Sequence, residues 1–591
     1  MQNAATVLGV LRERGRKGLP CDELYRQMFN RELYLLAYGR IYANEGAMTP
    51  GASAETADGM SEDKIDGIIE AIRYERYRFS PVRRIFIPKK NGKLRPLGLP
   101  SWSDKLVGEV VRLILEAYYE PTFSDHSHGF RPGRGCHTAL RDVERTWTGA
   151  TWFIEGDISD CFGSLNHDVM IRILSERIHD NRFLRLIRQM LQAGYLEDWR
   201  YHETLSGAPQ GGVVSPILSN IYLHQLDMFV EKVLIPRYTR GKSRKRNPEY
   251  TRRQSQMTRA RARGDRETVR DLRRSLRRLP SVDPQDPGYR RLRYTRYADD
   301  HLLGFIGPKA EAEAIRDQLA QFLRNELALE LNPSKTLITH ARTRAARYLG
   351  YEITVQQCDE KLTNGRRAVN GVVALRIPLD VVKAKRAPYR CHGKPWHRSA
   401  LQNLDEYDIV ATYGAEYRGI VNYYLLATDV WRLNELEWYA KTSMLKTLAA
   451  KHQSTVSKMA AKHKAKIQTQ HGLRTCFEAR VHRNGKPDLV ARFGGIPLVR
   501  SKDAVIVDRV PKPHPHPRKE LIHRLLTRRC ELCGDPGKVL VHQVRKLASL
   551  GQTGSGQPTW AALMATKRRK TLVVCAACHD VIHAHPVTIA A

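Results

Sequence analysis

The stretch LRYTRYADDHLLGF, residues 292–305, sets two adjacent carboxylates, Asp299 and Asp300, inside a run of aromatic and aliphatic residues. Such flanks favour strands, and aspartate tolerates the backbone of a tight turn, so the segment predicts strand, turn, strand with both acids at the tip. Like charges on neighbouring residues repel, and without a cation one of the two is driven towards protonation. A second acid stands upstream in TWFIEGDISDCFGSLNH, where an apolar and aromatic lead-in delivers Asp157 at the end of a predicted strand. Two hard divalent ions about 4 Å apart need clustered carboxylates, and such a pair supports the attacking and departing oxygens of a phosphoryl transfer. Asp157 and Asp299 are the expected magnesium ligands, with Asp300 completing or supporting the cluster.

Charge says what kind of partner fits. The chain of 591 residues carries 98 Lys plus Arg against 62 Asp plus Glu, a formal net charge of +36. That excess favours a large polyanion, nucleic acid above all, over a small substrate. No apolar run has the 18 or so residues of a membrane span, and the start of the chain lacks a secretory pattern, so a cytoplasmic protein with no membrane partner is expected. The length predicts several domains.

Short apolar segments alternate with Gly/Pro punctuation and helical stretches from about residue 81 to 355, which predicts an α+β domain. Residues 1–80, with helical patterns and the small polar loop TPGASAETADGMSED, read as an amino-terminal extension. Residues of about 237–293 are heavily basic with few apolar positions and read as an inserted arm or helical hairpin. Residues 356–475 predict long helices, since Tyr407, Val410, Tyr413, Tyr417, Ile420 and Tyr424 recur at three- and four-residue steps. Residues 476–519, ending in RVPKPHPHPRK, read as a linker or DNA-binding region, and 520–591 as a small cysteine/histidine module.

At this point the chain resembles a reverse transcriptase encoded by a group II intron. The matching stretches are RRIFIPKKNGKLRPLGLPSWSDKLV, EPTFSDHSHGFRPGRGCHTAL, GDISDCF, GAPQGGVVSPILSNIYLHQLD, RYADD, LNPSKT and RYLGYEI, in that order. The resemblance implies a right-hand polymerase of fingers and palm, followed by an α-helical thumb or maturase domain. It implies that Lys89 and Arg95 grip the incoming deoxynucleoside triphosphate, that Phe162 stacks under its sugar and excludes a 2′-hydroxyl, and that Gln210 lies near template and nucleotide. Lys335 resembles a lysine that assists as general acid at the leaving pyrophosphate. One departure is visible: Gly163 replaces the acidic residue that usually follows the aromatic.

The stretch around RGIVNYY resembles the maturase region of the same family and implies contacts of Arg418, Asn422 and Tyr423, with Lys451 beyond them, to the intron RNA. Four thiols, Cys530, Cys533, Cys575 and Cys578, stand in two C-x-x-C pairs, a spacing suited to a structural tetrahedral zinc. With His542, His579 and His583 they resemble an HNH endonuclease (ββα-metal) domain, in which histidines hold a divalent ion that activates cleavage of target DNA. Many relatives have two adjacent histidines where this chain has His542 and Gln543. The expectation is a multifunctional RNA-directed DNA polymerase, maturase and DNA endonuclease acting in intron mobility as a ribonucleoprotein in a bacterial cytoplasm. The alternatives are an RNA-binding splicing factor with inactive enzyme sites and a defence or retron-like reverse transcriptase. The intact carboxylates argue against the first, and the thumb and zinc module against the second.

Overall fold

The computed structural model describes residues 3–88, 92, 94–197, 200–204, 206–207, 212–361, 369–483, 486–509, 519–550 and 557–585. Lys89 and Gln210 lie outside them.

Helices Ala4–Arg16 and Arg31–Ile41 begin at Asn3 and Asn30, whose side chains accept free backbone N–H groups of the first turn. Both pack against helix Trp102–Tyr119, which is buried on nearly every face. A two-residue strand, β1 (Met60–Ser61), follows helix Arg31–Ile41 in sequence and precedes helix Trp102–Tyr119. Strands β2 (Val82–Pro88) and β3 (Leu94–Leu99) form a hairpin in which Ile87 faces Arg95. After β4 (Trp152–Gly156), the short strands β5 (Tyr195–Glu197) and β6 (Arg200–His202) extend that hairpin into a sheet of order β3-β2-β5-β6.

The basic insertion is a helical hairpin, Pro248–Ala262 and Arg266–Arg278, in which only Ala260 and Leu276 are buried. The chain then returns through β7 (Arg291–Tyr297), β8 (Asp300–Ile306) and β9 (Leu337–His340). These join β4 in an antiparallel sheet of order β7-β8-β4-β9. Successive residues of a strand point to opposite faces. Ile154, Leu303 and Phe305 accordingly enter one core, shared with the amino-terminal helices, while Phe153 and Leu302 enter a second.

That second core belongs to the helical part of the chain. It is built from β10 (Ala346–Tyr348), β11 (Tyr351–Val355), β12 (Val373–Arg376) and the helices Glu406–Tyr424 and Leu433–Lys451. The helical periodicity anticipated the helices but not what covers them. A small hairpin, β13 (Arg390–Cys391) with β14 (Lys394–Pro395), is followed by the meander β15 (Lys464–Thr469), β16 (Gly472–Arg483) and β17 (Lys486–Gly494). The meander lies against helix Glu406–Tyr424, with Phe493 and Ala491 in the second core. Residues 476–483 and 486–494 are therefore folded sheet and not linker, because their alternating apolar residues bury one face.

The carboxy-terminal module has strands β18 (Leu540–Gln543) and β19 (Thr571–Val574) and helix Ala576–Ala584. Its sheet has order β1-β18-β19, so the amino-terminal extension contributes a strand to it, with Met60 facing Val541 and Ser61 facing Leu540. Leu521, Ile522, Val541 and Val573 are part of the first core. No helix among the described residues is long and apolar enough to cross a membrane.

Candidate functional site

Strand pairing builds the carboxylate site. Tyr297 and Asp300 are the last partners of β7 and β8, which leaves Ala298 and Asp299 as the turn, with Ala298 at φ +56°. Asp157 is the residue after β4, whose Gly156 pairs with His301 on β8. Two neighbouring strands thus end level, and Asp157, Asp299 and Asp300 meet although 142 residues separate the first from the second in sequence. Burial, the charge of Asp299 and contact with Asp157 push Asp300 up to about 7. Burial and Asp157 also raise Asp299, opposed by a backbone hydrogen bond and the charges of Lys335 and Arg95. Lys335 Nζ lies 2.7 Å from Asp157 Oδ2, and Asn332 Nδ2 donates to the same oxygen at 3.3 Å. One lysine cannot neutralise three acids. Clustered oxygen donors, with the ionised forms of Asp299 and Asp300 disfavoured in the protein alone, fit hard divalent cations, whose charge reverses that penalty.

The turn is fixed from behind by a residue that sequence reading passed over. Arg296 is fully buried and pairs with the equally buried Asp227 through Nε–Oδ1 at 2.7 Å and Nη2–Oδ2 at 2.6 Å. Its remaining donors reach the Ala298 carbonyl at 2.8 Å, Ser127 Oγ at 2.9 Å and Asn220 Oδ1 at 3.2 Å. Asn220 in turn donates to the Gly129 carbonyl at 2.9 Å. Gly129 sits so close to the turn that a Cβ there would lie 2.4 Å from the Ala298 nitrogen. The glycine in HGF is thus required by close approach of the aspartate turn, and Arg296 is the guanidinium that spans both sides.

Arg95, on β3, is exposed and near enough to Asp299 for its charge to act there. Phe162 stands in the short helix Cys161–Ser164, half-buried, with its ring 6.4 Å from that of Phe130. The departure at Gly163 has a local reason. Asp160 adopts a left-handed conformation, φ +40°, and folds its carboxylate back so that a Cβ on residue 163 would meet Oδ2 at 2.2 Å. An acidic side chain there would also repel Asp160.

On helix Glu406–Tyr424, Arg418 and Asn422 are exposed. Tyr423 is differently placed: its hydroxyl donates to the Leu349 carbonyl at 2.7 Å, and its own carbonyl accepts from Tyr351 and His137. It ties this helix to the turn between β10 and β11. Lys451 is half-buried. Of its neighbours, His452 and Lys462 converge on Glu406 at 2.6 and 2.5 Å, while Lys458 and Lys464 are exposed.

In the carboxy-terminal module the four cysteine sulfurs lie within 4.8 Å of one another, and none is in a disulfide. The N–H groups of Leu532 and Cys533 point at Cys530 Sγ at 3.4 and 3.5 Å, an arrangement that steadies a thiolate. This donor set fits a structural zinc. His542 on β18 and His579 and His583 on the following helix come together, the last two with Nε2 atoms 3.3 Å apart. Gln543 points elsewhere: its Nε2 donates to the Tyr42 carbonyl at 2.8 Å, so it fastens the amino-terminal region. Among the histidines lies a residue that sequence reading missed, Asp58, from the polar loop before β1. Its Oδ2 is 2.8 Å from His583 Nε2 and 3.3 Å from His579 Nε2, and its Oδ1 is 3.2 Å from His542 Nδ1. No local signal marks it, because its partners lie 484 to 525 positions away in sequence.

Three spans of the chain match known families. Residues 87–244 match the family described as "Reverse transcriptase (RNA-dependent DNA polymerase)", 380–496 "Type II intron maturase" and 530–579 "AI2M/AI1M-like, HNH endonuclease". The first match ends before the Asp299 turn. Among whole proteins, the chain is 38% identical to "Group II intron-encoded protein LtrA" of Lactococcus lactis subsp. cremoris, over 95% of this chain and 96% of that one. It is 34% identical to the "Uncharacterized 91 kDa protein in cob intron" of Schizosaccharomyces pombe, over 96% of this chain and 70% of that one. It is 31% identical to the "Putative COX1/OXI3 intron 1 protein" of Saccharomyces cerevisiae, over 95% and 69%.

Proposed function

We propose, for a chain that belongs to the family of group II intron-encoded proteins and carries reverse transcriptase, maturase and HNH endonuclease domains, the following division of work among its residues. DNA synthesis is assigned to Asp157, Asp299 and Asp300, as ligands of two magnesium ions that support the primer 3′ oxygen and the departing pyrophosphate. The convergence of these acids from two strand ends carries this reading. The sheet β7-β8-β4-β9 is then the palm, the hairpin β2–β3 the fingers, and the helices with their meander the thumb. Arg95 and Lys89 bind the triphosphate, Phe162 selects its sugar, Gln210 lies against the nascent pair, and Lys335 holds a proton at Nζ for the pyrophosphate. Hydrogen bonding to Asp157 raises the Lys335 pKa, which keeps Nζ protonated.

Intron RNA is the proposed partner of the exposed thumb face, with Arg418, Asn422 and Lys451, and of the arginine-rich helical hairpin. Such surfaces bind through phosphates, with little sequence readout. The proposed roles of the carboxy-terminal module are a zinc held by the four cysteines and a divalent ion held by the histidines, acting on target DNA whose nicked end primes copying. Gln543 favours a second reading of that module alone, metal and DNA binding without cutting, because its side chain is spent on Tyr42 and supplies no base. Nicking of a target duplex separates the two.

The polymerase reading is tested by extension of a DNA primer on an RNA template with the four deoxynucleotides. DNA product is expected with Mg²⁺, is expected to vanish with a chelator and to return when Mg²⁺ is restored. A folded, RNA-binding preparation that makes no DNA under these conditions overturns the reading in favour of a splicing factor.

A further inference from the structure

The histidine cluster has a fourth member from the opposite end of the chain, and three observations make it more than a neighbour. First, the ligand-capable atoms of Asp58, His542, His579 and His583 all lie within 4.8 Å of one another. Second, His542 is 5% exposed and neither of its ring nitrogens makes a hydrogen bond. The Asp58 carboxylate is 3.2 Å from Nδ1 without lying in line for one, and a buried imidazole left without partners is costly unless something else occupies its lone pair. Third, the position of Asp58 is built, not incidental. Gly59 N–H donates to the Val541 carbonyl and the Gln543 N–H to Asp58 Oδ1, at 2.9 and 2.7 Å, and β1 continues the β18–β19 sheet directly afterwards. Arg528 grips Glu62 and Lys538 reaches Asp63, holding the same segment to the module.

We propose that Asp58 is a ligand, with His542, His579 and His583, of the divalent cation of the carboxy-terminal module, so that the amino-terminal segment completes the nuclease metal site. The proposal rests on the reading of the three histidines as a cation site. Three imidazoles and one carboxylate suit a borderline ion such as Zn²⁺, Ni²⁺ or Co²⁺, and the carboxylate offsets one unit of the ion's charge in a partly buried place. These ions also accept more than four donors, which leaves positions for water and a phosphate oxygen. Metal loading of the module then depends on docking of the amino-terminal segment, and Gln543 serves that docking through its contacts to Asp58 and Tyr42.

The test is calorimetric titration of Ni²⁺ into the tag-free full-length protein, its cysteine site first filled with zinc. Ni²⁺ is chosen because it favours imidazole over the all-oxygen carboxylate site. Asp58→Asn keeps an oxygen to accept the Gln543 N–H, so the segment stays docked while the carboxylate is lost. It is expected to weaken Ni²⁺ binding by at least about tenfold, His583→Ala by at least as much, and Glu70→Gln, exposed on the helix that follows β1, not at all. If Asp58→Asn binds as tightly as the parent while His583→Ala does not, the proposal fails and the histidine site stands. If neither variant changes binding, both the proposal and the histidine reading fall.

Discussion

Asp299→Ala is expected to stop DNA synthesis, lowering primer extension by at least about 10³-fold, or roughly 4 kcal/mol of transition-state stabilisation. The effect is this large because the three acids act as a unit. Removing Asp299 takes a donor from the cation pair, while Lys335 stays bound to Asp157 and the strands keep their partners. Protein-assisted splicing of the intron RNA is expected to survive, since the substitution leaves the exposed Arg418 and Asn422 of helix Glu406–Tyr424 untouched. Measuring both activities on one preparation separates the outcomes. Equal loss of the two reports misfolding, and persistent extension removes Asp299 from the chemistry.

Asp227→Ala is expected to cost the domain about 3–5 kcal/mol, read as a lower urea midpoint, because it leaves the Arg296 guanidinium buried without a counter-charge. The double replacement Asp227→Leu with Arg296→Met is expected to regain most of that stability, since well-packed apolar groups replace a buried ion pair at little cost. It is not expected to regain DNA synthesis, because the Ala298 carbonyl loses the donor that holds the aspartate turn. A double variant with full polymerase activity contradicts the positioning role of Arg296.

What the sequence made legible and what it hid divide along physical lines. The β7–β8 hairpin was readable because flanking strand formers and a turn-tolerant acid pair are local signals. So was the cysteine quartet, whose spacing is itself the geometry, and the two histidines four residues apart on one helix. The meander β15–β17 was missed because its strands carry many charges on the exposed face, and a basic stretch reads as solvated chain until its alternation is counted. Arg296 stood inside the quoted motif, yet nothing local says that a guanidinium beside an acidic turn is buried. Its counter-charge, Asp227, lies on a helix 69 residues upstream. Asp58 was beyond reach altogether. Its loop carries no ligand spacing, and pairing of a two-residue strand with β18, about 480 positions away, brings it to the histidines.

Binding of a pair of divalent ions by Asp157 and the Asp299–Asp300 turn underlies the proposed DNA synthesis. It is tested most directly by anomalous diffraction from crystals grown with Mn²⁺, a primer–template and a non-hydrolysable deoxynucleotide. Two manganese peaks about 4 Å apart, touching Asp157 and Asp299, are expected. Manganese bound to the triphosphate without either aspartate, or bound only at the histidine cluster, would contradict that binding.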